Sequence, residues 1–294
     1  MDASMEKFEG MAKASLASLK KIQDALSLEG KAAIVSGGAA GLGYNIVNRL
    51  CEAGAKTVIV DINAKLGEQA VVDFTELGYD VAYAKTDVSS VSDVYAAVDF
   101  TVGKYGKVDI LVNCAALQSM STFLDMPENL YDRTLDINLK GTYFLSQAAA
   151  RYMVKNNISG KIVNIASDSA VSVDTPVGLH THYNASKGAV VTLTIGMARE
   201  LAQYGIQVNS VAPGGMNTYG GIGSAMKSAA VYPDLFSKLQ FNPPKPAAKT
   251  PDEVALMVYL LATDASDFMV GETVYVDGGA RFDLIHESLS NCLK

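Results

Sequence analysis

The sequence has few cysteines, and it lacks basic runs and long hydrophobic segments. Its three cysteines, Cys51, Cys114 and Cys292, are far apart and form no C-x-x-C pair, so neither a disulfide framework nor a zinc site is predicted. The net charge is −7 and no run of basic residues occurs, which argues against nucleic acid or an anionic membrane as a partner. No stretch is apolar for the roughly 18 residues that a membrane-spanning helix needs. We therefore expect a soluble protein of the reducing cytoplasm.

Apolar residues are abundant, at 49% of the 294 residues, which suffices for one large α/β domain. We predict an N-terminal helical arm at 1–28, a Rossmann-type catalytic domain at 29–280 and a C-terminal tail at 281–294. The helical spacing of apolar residues in the arm favours packing on its own domain or on a neighbouring subunit over a membrane surface. Within the domain, the long irregular stretch at 213–250 is predicted to be a substrate loop or lid.

Short apolar runs alternate with amphipathic stretches of helical length. Continuous apolar strands between helices indicate a parallel sheet that is covered on both faces. The predicted fold class is therefore α/β, a single doubly wound Rossmann-type domain with a parallel seven-stranded sheet between two layers of helices. The predicted strands are 32–36, 57–61, 81–85, 108–113, 161–166, 206–212 and 273–279.

A glycine-rich turn, SGGAAGLG at 36–43, follows the first strand and opens a helix. Glycines let the backbone present N–H groups at a helix start to a pyrophosphate. Asp61 ends the second strand at the distance expected for a carboxylate that accepts the ribose hydroxyls of adenosine. A carboxylate repels a 2′-phosphate, and neither the turn nor Ile62 and Asn63 supplies a cation, so NAD(H) is predicted over NADP(H). The alternative is that Asp61 only caps the next helix.

Tyr183 and Lys187 lie four residues apart in a predicted helix, which places both side chains on one face. A nearby ammonium lowers the pKa of a phenol, and a tyrosine so tuned can act as a general acid or base. Alone, such a pair is common by chance on helix surfaces.

With further motifs in the same order and spacing, the chain resembles the short-chain dehydrogenase/reductase family from about Gly30 to Gly279. The motifs that carry the resemblance are the glycine turn, Asp87-Val88, Asn113 with Ala115, Asn138, Ser167, Tyr183 with Lys187, Pro213-Gly214 with Thr218, and VDGG at 276–279.

The resemblance implies the roles of four residues in a metal-free alcohol–ketone oxidoreductase. Tyr183 would exchange the substrate proton, and Ser167 would hydrogen-bond the substrate oxygen. Lys187 would also bind the nicotinamide ribose. Asn138 would hold a water of the proton relay, and it could also be a buried amide that ties helix to strand, because holding a water and fixing the backbone can be one job.

The resemblance also implies a homodimer or homotetramer and an extended site for the cofactor. The predicted cofactor-binding residues are Ser36, Gly37, Gly41, Leu42, Gly43, Asp61, Ile62, Asp87, Val88, Asn113, Ala115, Tyr183, Lys187, Pro213, Gly214 and Thr218.

The chain departs from the family's pattern in three places. The fourth-strand motif, usually Asn-Asn-Ala-Gly, reads NCAA at 113–116, which affects geometry near the cofactor more than chemistry. Ser36 stands where the family usually has Thr and keeps the hydroxyl. Ser167 precedes Tyr183 by a few residues more than usual, so Ser169 is the reserve candidate.

Two histidines, His180 and His182, lie just before Tyr183 in the sequence GLHTHY at 178–183. They could bind metal with Asp168 or Asp174, or be solvated loop residues, but we predict that they contact a polar group of the substrate. The predicted substrate-contacting residues are Ser169, His180, His182, Met216 and Tyr219.

The loops after strands four to six contain no cluster of Lys or Arg, so a strongly acidic substrate would leave its charge unpaired. Their apolar and hydroxyl side chains favour a neutral, largely apolar cyclic ketone or secondary alcohol, of the hydroxysteroid, flavonoid-like or cyclohexanol kind. The alternatives are a non-catalytic NAD-binding sensor, a reductase of 3-oxoacyl thioesters or of sugars and polyols, and an epimerase or dehydratase of similar fold.

Overall fold

The computed structural model describes residues 19–171, 179–216 and 250–279. They contain a seven-stranded sheet in the order β3-β2-β1-β4-β5-β6-β7, with every neighbouring pair parallel. This confirms the predicted sheet. The strands are β1 (Ala32–Ser36), β2 (Lys56–Asp61), β3 (Val81–Lys85), β4 (Ile110–Asn113), β5 (Lys161–Ile165), β6 (Gln207–Pro213) and β7 (Thr273–Val276).

Helices connect the strands, and a π-helical turn at Asp136–Gly141 joins two of them. The helices are α1 (Ile22–Leu26), α2 (Gly41–Glu52), α3 (Ala64–Glu76), α4 (Val91–Tyr105), α5 (Glu128–Leu135), α6 (Thr142–Lys155), α7 (Thr181–Leu201) and α8 (Pro251–Ala262).

Each face of the sheet has its own buried core. Within β1, Ala33 and Val35 belong to the core that includes α2 and α8, whereas Ile34 belongs to the core that includes α4 and α6. Side chains alternate between the two faces of a strand, so a strand covered on both sides must be apolar throughout. This explains the uninterrupted apolar sequence of β1 and confirms the three-layer architecture.

The chain reverses its direction of winding between β1 and β4, which lie side by side. At such a point the connections leave toward opposite edges of the sheet and open a crevice at the carboxyl ends of the strands. Ser36 at the end of β1 pairs with Asn113 at the end of β4, so the motifs that follow these strands meet in this crevice.

The described part of the predicted arm packs on its own domain. The Tyr259 hydroxyl on α8 donates a hydrogen bond to the carbonyl of Leu26 at 2.6 Å, and Leu28 N donates to the carbonyl of Ala53 at 2.8 Å. Residues 1–18, the tail at 281–294 and most of the predicted lid lie outside the described residues. None of the described helices has the length and apolarity to cross a membrane.

Candidate active site

The glycine-rich turn leaves no space for a side chain at Gly37 or Gly43. The Ser36 hydroxyl accepts the N–H groups of Cys114 at 3.0 Å and Ala115 at 3.1 Å, which ties the turn to the end of β4. Gly37 has φ +67°, and a Cβ there would lie 2.8 Å from Ala115 Cα. A Cβ on Gly43 would lie 2.0 Å from the carbonyl oxygen of Gly37. Both positions therefore require glycine.

Helix α2 begins in this turn, at Gly41. The preceding residue, Ala40, has no side chain that could cap the first N–H groups of the helix. The first N–H groups of a helix carry partial positive charge and suit an anion. The turn therefore fits the pyrophosphate of a dinucleotide, with Leu42 buried beneath it.

The carboxylate of Asp61 lies against the same turn. It accepts the N–H of Ala39 at 3.2 Å and that of Asn63 at 2.9 Å. The Asn63 side chain caps α3 by accepting the N–H of Leu66 at 3.2 Å, so the alternative that Asp61 caps this helix is wrong. The Tyr83 hydroxyl donates to the carbonyl of Asp61 at 2.9 Å and helps to hold its backbone.

Other predicted cofactor residues lie at the same edge of the sheet. The Asp87 carboxylate accepts the N–H and hydroxyl of Ser89, at 3.0 and 2.6 Å, in the turn after β3. A Cβ on Gly141 would lie 2.9 Å from the carbonyl oxygen of Val88. Ile62 is exposed beside Asp61.

The ends of β4 and β6 carry the remaining described cofactor candidates. The Asn113 side chain donates to Ser146 Oγ and to Asn164 Oδ1, both at 2.8 Å, while its own Oδ1 is buried and has no hydrogen-bond partner in the part of the chain that the structure describes. Pro213 ends β6, and Gly214 N donates to the carbonyl of Val276 at 3.1 Å. Thr218 lies outside the described residues.

The first turns of α7 and the end of β5 bring Tyr183, Lys187 and Ser167 together. Tyr183 is 9% exposed and hydrogen-bonded to Ser167. Lys187 Nζ lies 5.8 Å from the centre of the Tyr183 ring and donates to the carbonyl of Ile165 at 2.7 Å. Ser169 reaches this group only through its backbone N–H, which donates to Ser167 Oγ at 3.2 Å.

Burial determines the proton affinities of the pair. It raises the pKa of Tyr183 to about 12, while the hydrogen bond with Ser167 acts in the opposite direction. Burial also lowers the pKa of Lys187 to about 8. The net pKa of Tyr183 therefore lies above its ordinary value in this structure, and the contribution expected of Lys187 stays a prediction. Desolvation disfavours the charged form of both groups.

Asn138 is completely buried within the π-helical turn. Its Oδ1 accepts the N–H of Leu117 at 2.7 Å, and its Nδ2 donates to the Leu117 carbonyl at 3.1 Å and to Ser186 Oγ at 3.0 Å. Ser186 Oγ in turn donates to the carbonyl of Tyr183 at 2.7 Å. The side chain thus ties the loop after β4 to α7. This agrees with Asn138 being a buried amide that holds the backbone. The sequence contained no signal for Ser186.

Both histidines are buried, so the alternative of solvated loop residues is wrong. His180 immediately precedes α7, and its ring centre lies 5.9 Å from that of Tyr183. His182 Nε2 lies 2.8 Å from Ser119 Oγ, and burial lowers the pKa of its imidazole. Among the described residues, no group of three or more His, Cys, Asp or Glu is placed to hold a metal ion.

The remaining substrate candidates lie in or beside the predicted lid. Met216 is partly buried against the core that includes α2 and α8. Tyr219 lies outside the described residues, as does Asp174.

Gly43→Ala is expected to lower the free energy of unfolding by about 1–3 kcal/mol, because the added methyl group must displace the backbone of the turn. Urea unfolding measures this effect. Gly103→Ala is the matched control, since a Cβ at this exposed position of α4 has nothing within 4 Å. It should be neutral or stabilising, by up to about 1 kcal/mol. Equal stability of the two variants would contradict the geometry of the turn.

Comparisons with known proteins agree on one family. A family model described as enoyl-(acyl carrier protein) reductase matches residues 37–281. The 5-keto-D-gluconate 5-reductase of Escherichia coli strain K12 is 35% identical over 261 residues, which are 88% of this chain and 98% of that protein. The 3-oxoacyl-(acyl-carrier-protein) reductase FabG of Chlamydia pneumoniae is 32% identical over 257 residues, 87% and 99% of the two chains. A gluconate 5-dehydrogenase from Burkholderia cenocepacia J2315, solved with NADP and tartrate, has a TM-score of 0.77 at 33% identity. The match covers 88% of this chain and 98% of that chain.

Proposed function

The chain belongs to the short-chain dehydrogenase/reductase family, and we propose that it interconverts a secondary alcohol and a ketone with Tyr183 as the acid/base. Members of this family are oxidoreductases that use a nicotinamide cofactor and act on CH–OH and keto groups. The observation that supports the proposal best is the buried contact of Tyr183 with Ser167 beside Lys187. Tyr183→Phe, argued in the Discussion, tests it.

We derive the roles of the side chains from these contacts. In the oxidative direction Tyr183 accepts the hydroxyl proton, and Ser167 donates a hydrogen bond to the substrate oxygen as charge develops there. The ammonium of Lys187 stabilises the phenolate and would hold the nicotinamide ribose. When bound, a nicotinamide cofactor supplies the hydride acceptor, or the donor in the reverse direction.

The alternative of a non-catalytic sensor requires the glycine turn but not the polar groups beyond it. Burying a phenol, a hydroxyl and an ammonium beside one another is costly, and a binding module gains nothing from it. The arrangement of Tyr183, Ser167 and Lys187 therefore favours an enzyme.

For the cofactor we propose NAD(H). The carboxylate of Asp61 lies against the turn that would hold the pyrophosphate, and a 2′-phosphate on the adjacent ribose would be repelled by it. Neither residues 37–43 nor Ile62 and Asn63 supply a cation. The Burkholderia relative was solved with NADP, so the preference within this family depends on each chain's own residues.

Native protein is expected to bind NADH roughly 10- to 100-fold more tightly than NADPH, as repulsion between like charges predicts. Asp61→Ala should narrow this ratio, and Glu68→Ala, which removes an exposed carboxylate from α3, should leave it unchanged. Fluorescence titration with both cofactors measures the ratios. Tighter binding of NADPH by the native protein would reverse the assignment, and the exposed Lys65 would then be the first cation to replace.

For the substrate we propose a neutral, largely apolar cyclic ketone or secondary alcohol. The described loop segments at 114–125, 166–171 and 213–216 contain no Lys or Arg. Asp168 is a buried carboxylate next to Ser167, and it would repel an anionic group near the reacting carbon. Phe123 and Leu124 add exposed apolar surface after β4.

A second candidate is a reductase of sugars, polyols or 3-oxoacyl thioesters, which the Escherichia coli and Chlamydia pneumoniae relatives favour. Steady-state kinetics with cyclic ketones, 5-keto-D-gluconate, neutral polyols and an acetoacetyl thioester would separate the candidates. We expect the highest kcat/KM for a neutral cyclic ketone. A maximum for the gluconate or the thioester would overturn this substrate class in favour of the second candidate.

A further inference from the structure

Asp168 is a buried carboxylate beside the proposed catalytic pair. It is 2% exposed and begins the short 3₁₀ turn Asp168–Ala170 that follows β5. Its Oδ1 accepts the hydroxyl of Ser167 at 3.1 Å and the N–H of Ser169 at 2.8 Å. Acidic side chains are rarely this buried, because desolvating a carboxylate is costly. The contact with Ser167 gives this carboxylate a place in the reaction.

The hydroxyl of Ser167 has one hydrogen and, among the described residues, two acceptors in reach, Asp168 Oδ1 and the phenol oxygen of Tyr183. One lone pair of Ser167 Oγ already accepts the N–H of Ser169 at 3.2 Å. A carboxylate can only accept, and hydrogen bonds to a charged group are the stronger ones. The hydrogen of Ser167 therefore points to Asp168, and the phenol of Tyr183 donates to Ser167.

This arrangement keeps the proton on Tyr183. If Tyr183 ionises, Ser167 must turn its hydrogen toward the phenolate and give up its bond to Asp168. The hydrogen bond with Ser167 lowers the pKa of the phenol, and with the hydrogen of Ser167 on Asp168 it can do so only after that exchange. Asp168 therefore opposes the ionisation through the direction of a hydrogen bond.

The charge of Asp168 acts in the same direction. Tyr183 faces Lys187 on its own helix, His180 just before it, Cys114 after β4 and Asp168 after β5. After burial itself, the charge of Asp168 raises the pKa of Tyr183, and a thiolate at Cys114 would do the same, although burial raises the pKa of that thiol to about 12. Of these two groups, Asp168 also contacts Ser167 directly.

We propose that Asp168 is a positioning residue that fixes the hydroxyl of Ser167 in the substrate-free enzyme and so holds Tyr183 in its proton-donating form, until substrate binds and the Ser167 hydrogen turns to the substrate oxygen. The inference rests on the proposed acid/base role of Tyr183. Ketone reduction needs a protonated tyrosine, whereas alcohol oxidation needs the phenolate. Asp168 thus favours catalysis of ketone reduction near neutral pH. It shifts the rise in the rate of alcohol oxidation to more alkaline pH.

Asp168→Asn tests this in the full-length protein, because asparagine keeps the size and an acceptor oxygen but removes the charge. The midpoint of the alkaline rise of kcat/KM for alcohol oxidation should move down by about one pH unit. Asp99→Asn makes the same change in net charge at an exposed position of α4, and its profile should match that of the native protein. Asp168→Ser is a second neutral variant if Asp168→Asn does not fold.

Tyrosine labelled with ¹³C at Cζ gives a readout that requires no substrate. The Tyr183 resonance, assigned by its loss in Tyr183→Phe, should begin to titrate at lower pH in Asp168→Asn than in the native protein. If both the resonance and the kinetic profile are unchanged and only thermal stability falls, Asp168 is merely structural and the inference fails. If no alcohol or ketone is turned over, the proposed function fails, while the resonance still decides the effect of Asp168 on Tyr183.

Discussion

Tyr183→Phe is expected to reduce kcat/KM by about 10²- to 10⁴-fold, because the variant cannot exchange a proton with the substrate oxygen. The fold should persist, since the carbonyl of Tyr183 still accepts the hydroxyl of Ser186. Binding of the reduced cofactor should also change little. Turnover is followed at the absorbance of the reduced nicotinamide, and binding by its fluorescence.

Tyr204→Phe is the matched control, because Tyr204 is exposed in the turn after α7. It should retain native activity. A Tyr183→Phe variant that kept more than about a tenth of native kcat/KM would refute Tyr183 as the acid/base, since general acid–base catalysis contributes more than that.

Ser167→Ala is expected to lower kcat by about 10²- to 10³-fold, the usual cost of removing one hydrogen-bond donor to a developing oxyanion. Ser169→Ala should have a small effect, because Ser169 contributes a backbone N–H that alanine retains. Both variants are compared by steady-state kinetics in the two reaction directions. If Ser169→Ala lost most of its activity and Ser167→Ala kept nearly native activity, Ser169 would be the hydrogen-bond donor to the substrate oxygen.

Ser167→Ala also distinguishes the effect of Ser167 on the pKa of Tyr183 from that of Asp168. Ser167→Ala and Asp168→Asn should shift the pH profile of alcohol oxidation in opposite directions. The hydrogen bond with Ser167 lowers the pKa of Tyr183, because Ser167 can turn its hydrogen to the phenolate, so Ser167→Ala should move the alkaline rise of alcohol oxidation to higher pH. The charge of Asp168 raises that pKa, so Asp168→Asn should move the rise to lower pH. Shifts in the same direction would contradict the hydrogen-bond arrangement inferred for these side chains.

Most of the sheet could be predicted because its strands are buried on both faces. The bounds of β1 and β3 agree with the predicted runs at 32–36 and 81–85. By contrast, β4 begins at Ile110 rather than at 108. The Asp109 side chain accepts the N–H of Ala32 at 2.8 Å, a contact between residues 77 positions apart that no local pattern shows.

The candidate site was predictable where it depends on local spacing. Tyr183 and Lys187 share a helix face because they are four residues apart, and the glycines of the turn mark places where the backbone comes too close for a Cβ. The preference for NAD(H) and the catalytic roles remain predictions, to be tested by the variants above.

The sequence by itself determined the strand–turn–helix order, the glycine turn and the acidic end of β2, because each follows from residues close together in the chain. Only the tertiary structure decided the proton affinities of Tyr183 and Lys187, the burial of His180, and the contact of Tyr183 with Ser167 near Asp168. Desolvation and charge interactions depend on groups brought together from distant strands and helices. Their balance exists only once the chain has folded around them.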